Sequence, residues 1–413
     1  MEHVPAAVYL AIALSTALGL YLKLRQARAA LAHRDAPPAE FSASVTLEEH
    51  RRAADYTAAR MRLSALETLC EAALAVVWLA FLLGPLHALL ADVFEPGPTL
   101  SVAVVVAVAF IDHVLLLPLS LVETFGLETR FGFNRATPTT VILDELKGAA
   151  LWLIFAVPLL YALFIALRLS PQYWWIAGFA GAFAFMLAML VVYPAVIAPL
   201  FNRFTPLEDA ELKARMEALL ERIGFRADGL FVMDASTRST HGNAYFSGLG
   251  KAKRIVFFDT LLRSHTPDEI LAILAHELGH YKFGHVRQRL LQAAAFLFVG
   301  FLVLHLAFSR GLAGAFGLPD DPGVVIVIVM AAGAPILHLL SPLTNYLSRR
   351  AEFQADDFAR KIYGEAPMVS ALTKLTRDNL ATLTPDRLYA LFYYSHPPAP
   401  LRIAALGKRG GGE

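Results

Sequence analysis

Ile270-Leu271-Ala272-Ile273-Leu274-Ala275-His276-Glu277-Leu278-Gly279-His280-Tyr281 is the stretch on which the reading of this chain turns. Wound as an α-helix, it sets His276 and His280 four residues apart on one face. Two imidazoles in that relation can share one Zn²⁺, and Glu277, one step round the helix, can reach a water held by the metal. Zinc lowers the pKa of such a water and the carboxylate takes its proton, which is hydrolase chemistry. An HExxH pattern also arises by chance in long chains, so its flanks matter. Thr266 suits an N-cap, Pro267 the first helical position, and Asp268 and Glu269 load the first turn with negative charge.

Zinc needs a third protein ligand. His285 lies five residues beyond His280, but a metzincin would need Gly at 283 and His at 286, where this chain has Phe283 and Val286. That subclass is excluded. Ser348-Arg-Arg-Ala-Glu352-Phe-Gln-Ala-Asp356-Asp357-Phe-Ala is the better source, with Glu352 and Asp356 sharing a helix face at i,i+4. Glu352 could ligate, and Asp356 could orient a ligating imidazole by accepting its second N–H. The plainer reading is a charged juxtamembrane helix.

Between Phe201 and Arg289 the composition is that of a soluble domain. Leu207 to Ile223 reads as an amphipathic helix ended by Gly224. Three β-like runs follow, Leu230–Met233, Asn243–Ser247 and Arg254–Phe258, with Gly248 to Lys253 as the expected hairpin turn. Strands beside an HExxH helix make a zincin-like core, and an edge strand can hold an extended peptide by backbone pairing.

The rest of the chain is too apolar for water. Of 413 residues 57% are hydrophobic, and several runs are long enough to cross a bilayer. Spans are expected near 5–22, 69–91, 100–122, 149–168, 174–200, 290–308 and 323–345. The N-terminal flank of the first lacks positive charge while Lys23, Arg25 and Arg28 follow it, which argues against a cleaved signal peptide and for an outside N-terminus. Alternating from there, the outer segments 92–99 and 169–173 carry no Lys or Arg and 309–322 has only Arg310; the inner ones carry Lys23 to Arg62, Arg130, Arg135, Lys147, Arg203 through Arg289 and those from Arg349 on. The HExxH helix and the Glu352 helix thus fall on one side, the cytoplasm, with the C-terminus. Residues 23–66 read as a cytoplasmic helical pair broken at Ala36-Pro37-Pro38-Ala39, with Thr46 and Glu49 as a capping box. Residues 123–148 join two spans, and their plainest reading is a solvated loop. A net charge of +1 argues against nucleic acid, and the single Cys70 permits no internal disulfide. No obligate protein partner is evident.

These pieces divide the chain into four parts. Residues 1–200 would hold five spans, 201–289 a zincin-like protease core, 290–345 spans six and seven, and 346–413 a cytoplasmic part with the third ligand. The expected fold class is an α-helical polytopic membrane protein of seven helices with a zincin-like (gluzincin) α+β domain.

Phe131-Gly-Phe-Asn134, His241-Gly-Asn-Ala-Tyr-Phe-Ser-Gly248, Lys253-Arg-Ile-Val-Phe-Phe-Asp-Thr260, Ala275-His-Glu-Leu-Gly-His280, Glu352-Phe-Gln-Ala-Asp356 and Tyr394-Ser-His-Pro397 follow one another in an order that resembles the type I CAAX prenyl endopeptidases. These are membrane zinc metalloproteases of the a-factor-converting enzyme type. The resemblance covers nearly the whole chain and implies one Zn²⁺ on His276, His280 and Glu352, with Glu277 as general base. It implies helices that enclose a large intramembrane chamber, a peptide or protein substrate, lipidated or not, and the lipid bilayer as the other partner. By the same resemblance Asn243 and His396 border the active site and contact bound peptide; read alone they are a turn Asn and a surface His stiffened by Pro397 and Pro398. Gly242 stands where eukaryotic members commonly have Ser, and the long insertions of animal members are missing. A bacterial homologue in the inner membrane is therefore expected, acting on CAAX-type or on other membrane-associated or misfolded proteins.

Three alternatives bear weighing. A heat-shock-type quality-control membrane metalloprotease would be shorter with fewer spans. A site-2 intramembrane protease would bury HExxH in a long apolar span and add a distant Asp-Gly. A seven-span transporter or receptor with an incidental HExxH would bind no zinc.

Overall fold

The computed structural model describes residues 2–42, 44–225, 228–247 and 254–410. Among the described residues, seven helices are long and apolar enough to span a membrane: Val4–Ala32, Leu47–Ala91, Pro98–Glu128, Pro138–Leu169, Trp174–Phe201, His285–Ser309 and Pro322–Tyr363. Every expected span lies inside one of them. The helices overrun the apolar stretches because hydrogen bonding along a helix is indifferent to where the bilayer stops. The second span is the clearest case. The charged stretch from Leu47 continues without a break into Ala91 through a π-helical turn at Trp78–Leu82. Its start is the expected capping box: Glu49 N–H donates to Thr46 Oγ1 at 3.2 Å, and Thr46 N–H donates to Glu49 Oε2 at 2.8 Å. The first span runs on beside it, and the two are clasped where Arg34 grips Asp55 at 2.7 and 2.8 Å.

A four-stranded sheet sits at one end of the bundle in the order β1-β2-β4-β3, with β1 Phe204–Pro206, β2 Gly229–Met233, β3 Ala244–Ser247 and β4 Arg254–Phe258. β2 and β4 are parallel; β1 and β3 flank them antiparallel, so β3 is an edge strand. The three expected runs are strands, and β1 is an addition: three residues ending in Pro206 carry too little pattern to be read in advance. The expected turn at 248–253 and the tail beyond Gly410 lie outside the described residues.

One core joins this sheet to the HExxH helix, Pro267–Lys282. Ile255 and Phe257 of β4, Met216 and Leu220 of the helix Ala210–Ile223, and Met368 and Leu372 of a later helix enclose Ile270, Leu271, Leu274, Ala275 and Leu278. Each buried Leu or Ile contributes about 1.5–3 kcal/mol, so this helix is fixed by its surroundings on nearly every side. A second core lies within the spans, where Ile12, Trp78, Leu83, Val104, Val324 and Ile328 interlock. The 42-residue helix Pro322–Tyr363 belongs to both: Val324 to Ile328 pack in the membrane core and Ala359 in the protease core.

The stretch after the third span departs from a solvated loop. Phe131 and Phe133 are buried against Ala53 and Tyr56 of the second span. Phe133 also stacks on His241 at 4.0 Å, while Arg238 holds Asp144 with two hydrogen bonds. Aromatic side chains bring enough apolar surface to bury a short connection. This segment is the seam between spans and protease domain.

Candidate active site

Helical periodicity brings His276 and His280 together as expected, their Nε2 atoms 3.2 Å apart. Glu352 arrives from the far end of the seventh span. Its Oε2 lies 3.4 Å from His276 Nε2 and its Oε1 3.2 Å from His280 Nε2. A metal held tetrahedrally at about 2.0–2.1 Å separates its ligands by roughly 3.3 Å, so the triangle has the edges a zinc-sized ion needs. Glu352 is fully buried, and neither of its oxygens makes a hydrogen bond. An ionised carboxylate sealed from water without donors is costly by several kcal/mol, and a cation among the three ligands would remove that cost. Among the described residues these three form the one group of His, Cys, Asp or Glu able to hold a metal ion. The donor set fits the metal.

The surroundings aim the ligands. His276 Nδ1–H donates to Asp356 Oδ1 at 2.8 Å, and Arg402 grips both Asp356 oxygens at 2.7 and 2.5 Å. Burial alone would lower the pKa of His276, but its contacts with Asp356 and Glu352 outweigh that and raise it to about 9. Glu277 occupies the next position on the helix, half-buried. Burial pushes its carboxyl up to about 7, with Glu352 adding to the rise and His276, Arg289 and Arg402 opposing it. A carboxyl tuned toward neutrality suits a group that must both take and return a proton.

His396 also belongs to the cluster, its Nε2 3.4 Å from Glu352 Oε1 and its side chain 63% exposed. Six of the seven residues singled out from sequence therefore meet in one place. Asn243 stands apart, making no hydrogen bond or ion pair with the other six. It ends the β3 edge, where its carbonyl accepts from Phe258 N–H at 3.0 Å, and its side chain is exposed. It lines a cavity of about 1040 Å³ together with Tyr56, Arg60, Glu123, Glu128 and Tyr389. A second cavity of about 480 Å³, holding His396 and Arg402, shares Asn379 and Tyr394 with the first. The two cavities adjoin, with Asn379 and Tyr394 in the wall of both.

Sequence reasoning missed three residues. Arg402 carried no local signal, because a lone arginine near the C-terminus resembles any surface charge. His285 was noticed only in excluding a metzincin. Gln354 sat unread between Glu352 and Asp356.

Fold and site together define a membrane-embedded metallopeptidase whose HExxH helix is completed by a glutamate, the gluzincin plan. Residues 26–203 match the family described as CAAX prenyl protease N-terminal, five membrane helices, and residues 206–410 match peptidase family M48. The chain is 40% identical over 294 residues to a protein named CAAX prenyl protease 1 homolog from Oryza sativa subsp. japonica, covering 70% of this chain and 69% of that one. It is 37% identical over 313 residues to the Saccharomyces cerevisiae protein named CAAX prenyl protease 1, covering 70% and 68%. The crystal structure of S. mikatae Ste24p superimposes with a TM-score of 0.90 at 28% identity, covering 97% of this chain and 98% of that one. The chain belongs to the CAAX prenyl protease 1 family of M48 peptidases, and it is an integral-membrane metalloendopeptidase.

Proposed function

We propose that this chain is a zinc endopeptidase that cuts C-terminal CAAX-type peptides, with prenylated ones among its substrates. The observation that carries the reading is the convergence of His276, His280 and Glu352 beside Glu277, with His396 and Arg402 of the same cluster lining a neighbouring cavity. One Zn²⁺ on the three ligands would supply Lewis acidity to the scissile carbonyl and to the attacking water. Glu277 takes the proton of that water on its carboxylate and returns it to the leaving nitrogen. His396 donates to the oxygen on which charge develops, and the Asn243 carboxamide donates to the substrate backbone. The free edge of β3 pairs with the extended peptide and sets its register against Glu277. Asp356, clamped by Arg402, holds His276 with Nε2 facing the metal.

The same reading divides the chain into five spans over 1–200, a protease core over 201–289, two spans over 290–345 and a completing part over 346–413. It places the N-terminus outside and the site in the cytoplasm, in keeping with the Lys and Arg asymmetry, and assigns a bacterial inner membrane. The test is metal analysis with cleavage of matched peptides that differ only in a farnesyl group. Wild-type protein should carry about one zinc per chain and cut the lipidated peptide. Glu277→Gln should keep the zinc and lose about 10³-fold in kcat, within the range for removing a general base. Full activity in Glu277→Gln would refute the mechanism, and indifference to the lipid would refute the substrate preference. Cysteine probes at Pro96 and Ser395 in a Cys70→Ser background should label from opposite faces.

A further inference from the structure

The two ligand histidines are held differently. His276 leans on a carboxylate, whereas His280 leans on another imidazole. His280 Nδ1 lies 2.9 Å from His285 Nδ1, and His285 Nε2 lies 3.0 Å from Gln354 Oε1. His285 is 1% exposed. The turn that places it is short: the HExxH helix ends at Lys282, Gly284 takes a left-handed conformation at φ 67°, and His285 opens the sixth span beneath His280. Only glycine adopts that conformation without strain.

With Gln354 turned so that its Oε1 faces His285, the donors and acceptors along this chain allow one arrangement of neutral rings. Gln354 Oε1 can only accept, so His285 carries its proton on Nε2. Its bare Nδ1 must then accept, and His280 must carry its proton on Nδ1. That leaves His280 Nε2 with a free lone pair facing Glu352 and His276. The tautomer a metal ligand needs is therefore written from Gln354 inward.

We infer that His285 is a positioning residue for the metal site, fixing the tautomer and ring orientation of His280 through a relay anchored on Gln354. One short segment of the seventh span then serves all three ligands. Glu352 binds directly, Asp356 aims His276, and Gln354 aims His280 through His285. This rests on the metal-site reading above and goes beyond it, since it assigns work to two residues that touch neither metal nor substrate.

The experiment is zinc affinity of the purified full-length protein, read by competition with a chromophoric chelator, with Co²⁺ absorption as a report on ligand geometry. His285→Ala should weaken zinc about 10–100-fold, the usual effect of removing a ligand's hydrogen-bond partner, and alter the Co²⁺ spectrum. Gln354→Ala should act in the same direction but less. The double variant should be no worse than His285→Ala alone, because Gln354 acts only through His285. His285→Gln, which keeps an acceptor, should recover part of the loss. A merely structural role would lower the melting temperature of metal-free protein and leave affinity unchanged. Gln354 is exposed, so Gln354→Ala keeps the test decisive even if His285→Ala fails to fold. Tight zinc in wild type with affinity within threefold in the single variants would overturn this inference alone. Wild-type protein that takes up no zinc would overturn the metal site itself.

Discussion

Two helices bring the candidate metal ligands together, and they do so on opposite plans. Pro267–Lys282 is short, begins with a capping box and is buried on nearly every side, and its two ligands are set by spacing alone. Pro322–Tyr363 is 42 residues long, carries Pro335 and Pro342 midway, and delivers Glu352 only because its far end packs into the protease core. The two meet where Gly279 faces Ala355. A Cβ at 279 would stand 2.9 Å from Ala355 Cα and 3.2 Å from its carbonyl oxygen. The difference teaches that half of this site is local geometry and half is tertiary contact, and that the contact runs through a membrane span. Correct insertion of the seventh helix is thus a condition for a complete ligand set.

The sharpest test of that comparison lies in the groups proposed to receive substrate, since they belong to neither helix. His396→Ala and Asn243→Ala should keep zinc and fold yet each lose about 10²-fold in kcat, the usual effect of one lost transition-state donor. Steady-state kinetics beside metal analysis checks this, and a kcat/KM within threefold of wild type would remove the residue from the mechanism. Next comes the helix contact. Gly279→Ala should destabilise by about 1–3 kcal/mol and loosen zinc, because one helix must back away from the other. Ala355→Gly should restore only part, since removing the methyl group at 3.3 Å leaves the closer Cα and carbonyl oxygen in the way. Full rescue, measured by thermal unfolding and zinc competition, would mean the helices do not meet as described.

A smaller effect concerns how the local helix is anchored. Burial alone would raise the Glu269 carboxyl, but hydrogen bonds from Lys374, Ser370 and Thr266 N–H bring it down to about 2. A lowered folded pKa contributes stability that is present above the ordinary glutamate value of 4.5 and is lost as pH falls toward 2. Unfolding monitored between pH 5 and pH 2.5 should show that loss, on the order of 2 kcal/mol, and Glu269→Gln should flatten it. The smallest effect belongs to the other end of the long helix. Asp321 caps it by accepting from Gly323 N–H at 2.7 Å and from Ser101 Oγ at 2.8 Å. Asp321→Ala should cost about 1–2 kcal/mol of stability and leave zinc affinity alone. A loosened metal there would show that the helix transmits strain along its whole length.

Much of this was legible because it rests on short-range rules. Seven apolar runs, a capping box at Thr46, an N-cap at Thr266 and three β-like runs all declare themselves within a few residues. Glu352 and Asp356 were readable because i,i+4 spacing puts them on one face. The loop after the third span was not, since its burial depends on Phe133 finding His241, more than a hundred residues later. Arg402 was hidden for the same reason: a guanidinium is a surface charge until a carboxylate from elsewhere closes on it.

The sequence by itself determined that there would be seven membrane helices, that Lys and Arg would gather in alternate connecting segments, and that two histidines and a glutamate would share a helical turn. Those follow from hydropathy, charge placement and a 3.6-residue period, which need no partner. Only the tertiary structure decided that Glu352 closes the triangle, that Asp356 answers to Arg402, and that His285 and Gln354 stand behind His280. Each of these joins groups far apart in the chain, and their pairing depends on which surfaces of the long helix and the protease core fit closely enough to exclude water.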